Sequence, residues 1–134
     1  MRFTFAYTGI RARELDATVR FFTHGLGMKE VARDVIPETG GTAVNLVSEG
    51  KEHVLEVNWY PPGSAHDAPY EPGEALDHLY FEMERGTRIE AAIERLLRHG
   101  GTLRIAPFPE GGGRIAYVDS PDGHTIEIYE RAPK

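Results

Sequence analysis

Apolar and polar positions alternate in short runs along this chain, and two stretches break the alternation with helical spacing. Residues 3–11 alternate as a strand. In residues 14–26, Leu15, Val19, Phe22 and Leu26 fall at steps of four, three and four, which make one face of a helix. Gly25 and Gly27 end that helix. Residues 28–35 read as a second strand, and 42–47 with 53–60 read as a hairpin turning at Glu49-Gly50. Pro61-Pro62-Gly63-Ser64 stops the last strand, because proline cannot donate to a ladder. A linker rich in Pro and Gly fills 61–75, and the order of elements then restarts. Residues 76–83 are the next strand. Residues 87–98 are a helix with Ile89, Ala92, Ile93, Leu96 and Leu97 on its inner face, ended by Gly100-Gly101. Three strands follow at 103–106, 113–119 and 124–129, with Ser120-Pro121-Asp122-Gly123 turning the chain between the last two.

The pattern is thus a βαβββ unit written twice, and a short match carries the same message. His53-Val54-Leu55-Glu56-Val57 and His124-Thr125-Ile126-Glu127-Ile128 lie 71 positions apart. A carboxylate in the middle of an apolar strand is costly to bury unless it is paired or bound to a cation. Two such glutamates at equivalent points of a repeat suggest a shared site, with a metal ion as its occupant. The same offset maps Tyr7 onto His78 and Arg11 onto Glu82. Strand parity puts Tyr7, Gly9 and Arg11 on one face of the first strand, and His78, Tyr80 and Glu82 on one face of its equivalent. Sheets curled around a common cavity would point Tyr7, Glu56, His78 and Glu127 into it. His53 and His124 stand three residues from their glutamates, an odd spacing that turns them to the opposite face and excludes them as ligands.

Composition narrows the functions. The chain of 134 residues suits one domain or two small fused modules, and its 40% hydrophobic and 27% charged content is ordinary for a soluble globular protein. A net charge of −6 argues against nucleic acid, whose phosphates need clustered Lys and Arg. Without cysteine there is no disulfide framework, thiolate zinc site or thiol nucleophile. No apolar run approaches a membrane span, and Met1-Arg2-Phe3-Thr4-Phe5 lacks a signal-peptide core, so a cytoplasmic location is expected.

Several stretches together resemble the vicinal oxygen chelate superfamily, and within it the glyoxalase I-like proteins (the glyoxalase, bleomycin resistance protein and dioxygenase group). They are Tyr7-Thr8-Gly9-Ile10-Arg11, Phe21-Phe22, Leu26-Gly27-Met28, Leu55-Glu56-Val57, Asp77-His78-Leu79 and the run from Ala116 to Glu127. The aromatic strand, D-x-P-D-G and I-E of that last run are the most specific part, and the resemblance covers nearly the whole chain. It implies an α+β fold in which paired βαβββ modules form a cupped mixed β-sheet around a central cavity, with helices outside. In domain terms this is a single domain over 1–134, with modules at 1–60 and 76–130. A divalent metal (Ni, Co, Zn, Mn or Fe) is implied inside, with one ligand from the first strand and one from the last strand of each module. Carried over by position, Glu56, His78 and Glu127 match three ligand positions. Tyr7 holds the fourth, where His or Gln is usual. A neutral phenol, with an unperturbed pKa of about 10, is a poor ligand for Ni, Co or Zn, and the alternative is that Tyr7 lines the cavity while water takes its place.

Two carboxylates and an imidazole suit a divalent ion. Such an ion chelates neighbouring substrate oxygens and stabilises the enediolate formed when a proton leaves the adjacent carbon. The resemblance therefore implies a metal-dependent lyase or isomerase of glyoxalase I type, which turns a thiol–2-oxoaldehyde adduct into a 2-hydroxyacyl thioester. Glu127 is the first choice as base and Glu56 the second. Arg11, Tyr80 and Glu82 are candidate substrate contacts, and Arg11 is suited to gripping a carboxylate. Each residue also has a plainer reading. His78 as a satisfied core histidine, the glutamates on a solvated sheet face, and Arg11 with Glu82 as an internal salt bridge are the alternatives. The segment from Asn58 to Tyr70 suits an aromatic lid or subunit contact. Ring-cleaving dioxygenases and fosfomycin thiol transferases use two histidines and fit less well. An acyl-CoA epimerase-like enzyme and a metal-free, drug-binding protein of bleomycin-resistance type remain as alternatives. Exposed sheet edges favour a homodimer, and no membrane partner is expected.

Overall fold

The structure, a computed structural model, describes residues 1–2, 4–73 and 75–133. The chain divides into two units, Met1–Tyr70 and Glu71–Lys134. Each is α+β, with one helical segment packed on one four-stranded mixed sheet.

The first unit contains β1 (Tyr7–Arg11), α1 (Leu15–Arg20), β2 (Lys29–Val35), β3 (Thr42–Val47) and β4 (Val54–Trp59). Its sheet runs β1-β4-β3-β2, with β1 and β4 parallel and the other pairs antiparallel. The expected strand over 3–11 is shorter than its alternation: Phe3 lies outside the described residues, and residues 4–6 precede the ladder. The expected helix over 14–26 is two elements. After α1 the chain widens into a π-helical turn, Phe21–Gly25, where Leu26 N–H reaches back five residues to Phe21 O at 3.1 Å. The Thr23 hydroxyl donates to Val19 O at 2.8 Å, competing with the backbone ladder where it widens. The wider turn puts the adjacent Phe21 and Phe22 both in the core, with their rings edge to face at 5.5 Å. They join buried Val19, Ile10, Val44, Leu46, Leu55 and Val57. Each such side chain contributes roughly 1.5–3 kcal/mol of burial.

The second unit contains β5 (Leu79–Glu82), α2 (Ile89–Arg98), β6 (Thr102–Glu110), β7 (Gly113–Asp119) and β8 (Thr125–Arg131). Its sheet runs β5-β8-β7-β6, the same topology, with β5 and β8 parallel. Ile89, Ile93 and Leu96 of α2 are buried with Ala116, Val118, Ile126 and Ile128, and α2 packs on β6, β7 and β8. Leu97, expected on the inner face, is 41% exposed. The α2 N-terminus has no side-chain cap of its own. Glu130 on β8 accepts the Ile89 N–H at 3.1 Å and also pairs with Arg114. The strand expected over 103–106 runs on through Pro107 and Pro109. It can do so because β6 is an edge strand, and its register shifts between Ile105 and Phe108.

The repeat holds at the level of register. Gly9 stands opposite Glu56 in the β1–β4 pair, and Tyr80 opposite Glu127 in the β5–β8 pair, with both members 71 positions on. In each unit the helical segment covers one sheet face. Leu55 and Val57 on β4, and Ile126 and Ile128 on β8, are buried, while Glu56 and Glu127 between them are half-buried and turn to the other face.

Candidate metal-binding half-sites

In the second unit, four side chains form a continuous chain. Asp77 Oδ1 lies 2.5 Å from His78 Nδ1, and His78 Nε2 lies 3.0 Å from Glu127 Oε2. Tyr117 donates its hydroxyl to the same Glu127 oxygen at 2.9 Å. The Glu127 side chain is 16% exposed. Tyr117 is gripped on two sides, edge-on by His78 with ring centroids at 5.8 Å and stacked on Phe108 at 6.5 Å. The hydrogen bond to Glu127, and after it burial, pushes the Tyr117 phenol up to about 12. The strand expected over 76–83 begins only at Leu79, so His78 sits just ahead of the ladder. It still meets Glu127, two rungs into the β5–β8 pair.

The first unit carries the equivalent positions without the wiring. Glu56 is half-buried, and its carboxylate enters no hydrogen bond or ion pair among the described residues. The residue across the ladder from it is Asn45, whose Oδ1 is buried and has no hydrogen-bond partner among them. Tyr7 is 51% exposed.

The other candidates have neighbours of their own. Arg11 donates from Nη2 to Ala68 O at 2.7 Å, lies 3.9 Å from Asp67, and has the Tyr60 and Tyr70 rings each 5.7 Å away. Its Nε is buried without a hydrogen-bond partner. Glu82 pairs with Arg131. Within its own unit, Arg11 has Asp67 as its charged neighbour, and Glu82 has Arg131. Tyr80 is 53% exposed on β5. The segment after Asn58 folds back over Arg11 through Tyr60, Asp67 and Tyr70. The two histidines set aside from the sequence are held elsewhere: His53 Nε2 meets Thr8 Oγ1 at 3.0 Å, and His124 Nδ1 meets Ser120 Oγ at 3.0 Å.

Asp77 and Tyr117 were not among the sequence candidates. Asp77 carries a signal in being next to His78. Tyr117 lies ten positions before Glu127, and only the β7–β8 register brings the two together.

The donors of the second unit fit a divalent cation as a half-site. An imidazole nitrogen and a carboxylate oxygen face one another, and a carboxylate on the far ring nitrogen directs Nε2 toward Glu127, the outer-shell arrangement common at metal-bound histidines. Among the described residues, no three His, Asp or Glu side chains cluster closely enough to hold an ion. A complete site needs a further donor beside His78 and Glu127.

Comparison with known proteins decides the family. Residues 4–128 match the profile of the Glyoxalase/Bleomycin resistance protein/Dioxygenase superfamily. The chain belongs to this superfamily. It is similar to lactoylglutathione lyase of Neisseria meningitidis, 31% identical over 132 residues, covering 93% of this chain and 88% of that protein. A lactoylglutathione lyase of Arabidopsis thaliana is 29% identical over 96% of this chain, which spans only 44% of that relative's length. Among solved structures, the trypanothione-dependent glyoxalase I of Leishmania major superposes with a TM-score of 0.74 at 26% identity, over 96% of this chain and 87% of that one. Membership agrees with the α+β class. Among the described residues, no helix is long and apolar enough to cross a membrane.

Proposed function

We propose that this superfamily member is a metal-dependent lyase of glyoxalase I type. Its substrate would be the hemithioacetal of a 2-oxoaldehyde with a small thiol. Glutathione is the thiol to try first, because the relatives are lactoylglutathione lyases. The observation that carries the reading is the convergence of His78 and Tyr117 on one oxygen of Glu127, with Asp77 behind the histidine.

His78, Glu127 and Glu56 would hold the ion. When bound, it would supply Lewis-acid polarisation of the substrate's neighbouring oxygens. Asp77 keeps His78 Nε2 directed toward Glu127, so the ring does not have to reorganise. One of the two glutamates moves the proton between adjacent carbons. Tyr7 lines the site without ligating, and Arg11, set between two tyrosines, takes an anionic end of the thiol. The working unit is a single domain of two modules, paired as a cytoplasmic homodimer.

Elemental analysis of the purified protein tests this reading, with Glu56→Ala and His78→Ala as controls. Near-stoichiometric Ni, Co, Zn, Mn or Fe that falls in both variants, together with thioester formation from methylglyoxal and glutathione, is the expected result. Protein that stays metal-free after dialysis against these ions would sink the proposal. The metal-free binding protein, which the phenol at Tyr7 favours, would then be the better reading.

A further inference from the structure

The 71-position offset carries Glu82 and Arg131 of the second unit onto Arg11 and Tyr60 of the first. In the second unit that corner is closed by a direct ion pair. In the first, Arg11 faces the Tyr60 ring at 5.7 Å, and its charge is met by the segment that follows β4. That segment, residues 60–70, folds back so that Ala68 O accepts from Arg11 Nη2 at 2.7 Å, with the Tyr70 ring 5.7 Å from the guanidinium. Asp67 completes the contact loosely. Its Oδ1 stops 3.9 Å from Nη2, beyond hydrogen-bond reach, while its Oδ2 is held by the Gly63 N–H at 2.8 Å.

The fit is incomplete. Arg11 Nε is buried without a hydrogen-bond partner, and so is Ser64 Oγ within the segment. These are two of the three buried side-chain polar atoms left unpartnered among the described residues. A buried donor on a charged group is costly to leave unmade. Nε and Nη2 form the side edge of the guanidinium fork, an edge that grips a carboxylate at two points. One of those donors is engaged by a neutral carbonyl and the other by nothing. A ligand carboxylate on that edge would satisfy Nε, which Ala68 O does not, and would have to displace the segment to reach it.

We infer that residues 60–70 are a strap latched on Arg11 by Ala68 and Asp67, and that a ligand carboxylate opens it by taking the guanidinium from them. This rests on the proposed placing of the thiol's anionic end at Arg11. The chain's own Asp67 competes for that place, so the strap lowers the affinity for an anionic thiol, and only a ligand with a free carboxylate releases it. Every residue of the latch belongs to the first unit.

The strap can be followed directly. Trp59, the single tryptophan of the chain, immediately precedes it, so its emission reports binding, and hydrogen exchange of a peptide spanning 60–70 reports opening. Glutathione is the probe, and its diethyl ester, with both carboxylates blocked, is the control; no metal is added. Saturating glutathione is expected to shift the emission and speed exchange in the strap, and the diester is expected to do neither. Asp67→Asn keeps an oxygen for the Gly63 N–H and removes the charge. It should bind glutathione about 1.5–5-fold more tightly, the scale of one exposed ion pair, and exchange faster without ligand. Arg11→Met keeps an apolar stem and removes the fork. It should exchange fast with or without ligand and bind glutathione at least about 10-fold more weakly. Adding Asp67→Asn to it should change nothing further. Circular dichroism verifies that the variants fold. Strap exchange unchanged by saturating glutathione, or an Asp67→Asn protein that binds it no more tightly than wild type, would overturn the inference while leaving the lyase reading in place. Wild type that does not bind glutathione overturns the inference together with the placing of the thiol at Arg11. Ligand-coupled opening in a protein that stays metal-free after dialysis supports the inference and sinks the lyase reading alone.

Discussion

The two units share a topology, a strand order and a register, yet they differ in what holds them together and in what they offer a ligand. The first buries an aromatic pair from a π-helical turn and leaves Glu56 unwired. The second buries an aliphatic stripe from α2 and ties His78, Glu127 and Tyr117 into one network. A repeated backbone therefore constrains where a carboxylate stands, whereas the cross-strand neighbour decides how firmly it is held. That neighbour is Asn45 in one unit and Tyr117 in the other.

The largest effects should come from the cores. Phe21 has no exposed surface, and Phe21→Ala is expected to cost about 3–5 kcal/mol. In the second unit, Leu96→Ala should cost about 2–5 kcal/mol. Urea unfolding measures both. A Phe21→Ala protein with a wild-type midpoint would show that the π-turn is not the centre of the first core.

Next in size is the contrast between positions Tyr7 and His78, which the repeat makes equivalent. His78→Ala should lower metal affinity by more than about 100-fold, beyond the range for an outer-shell partner. Tyr7→Phe should leave affinity within about twofold, since a neutral phenol is a weak donor to divalent ions. Equal losses from the two variants would mean that Tyr7 ligates after all and that the first unit is more fully equipped than its hydrogen bonds indicate.

The units also differ in how an arginine holds a glutamate. Arg114 grips Glu90 through two contacts, at 2.7 and 3.2 Å, and reaches Glu130 as well, which holds the Glu90 carboxyl down to about 2. In the first unit Arg33 grips Glu30 through two contacts, with Asp16 4.0 Å away, and holds the Glu30 carboxyl below the usual 4.5. A carboxyl held below its unfolded value stabilises the fold above the unfolded pKa and loses that contribution as pH falls toward the folded one. Wild type should therefore exceed Glu90→Gln in stability near neutral pH, and the gap should close as the pH falls from 4.5 toward 2. Glu30→Gln should show a smaller gap of the same sign. Urea midpoints across that range would refute the ordering if the Glu90 gap widened with acid.

Much of this was legible in the sequence because period and punctuation are local. Thr42–Val47 and Gly113–Asp119 were placed to the residue, since both are short, largely apolar runs between turn signals. The repeat offset also gave the glutamate rungs. What escaped depends on partners far along the chain. The π-turn depends on one threonine hydroxyl and on packing around two adjacent phenylalanines. Tolerance of Pro107 and Pro109 in β6 depends on that strand lying at the sheet edge, which no local pattern announces. Tyr117 became visible only when β7 was laid beside β8. The same holds for the within-unit neighbours of Arg11 and Glu82: Asp67 lies in a loop and Arg131 at a strand end, and neither position stands out in the local pattern.

The smallest expected effect concerns the helix face that periodicity drew too wide. At about 100° per residue, Ile89, Ile93 and Leu96 fall within roughly 60° of one another, whereas Leu97 lies about 70° from the centre of that stripe. Ala92 lies about as far off on the other side and is half-buried, so the buried stripe is narrow and its flanks meet solvent. Replacing an exposed leucine removes little buried surface, so Leu97→Glu should shift stability by no more than about 0.5 kcal/mol. Leu96→Ala, one position earlier, should cost several times as much. Thermal unfolding followed by circular dichroism separates the two. A Leu97→Glu protein as unstable as Leu96→Ala would mean that this leucine is covered when the protein is assembled, and that the outer flank of α2 belongs to an interface.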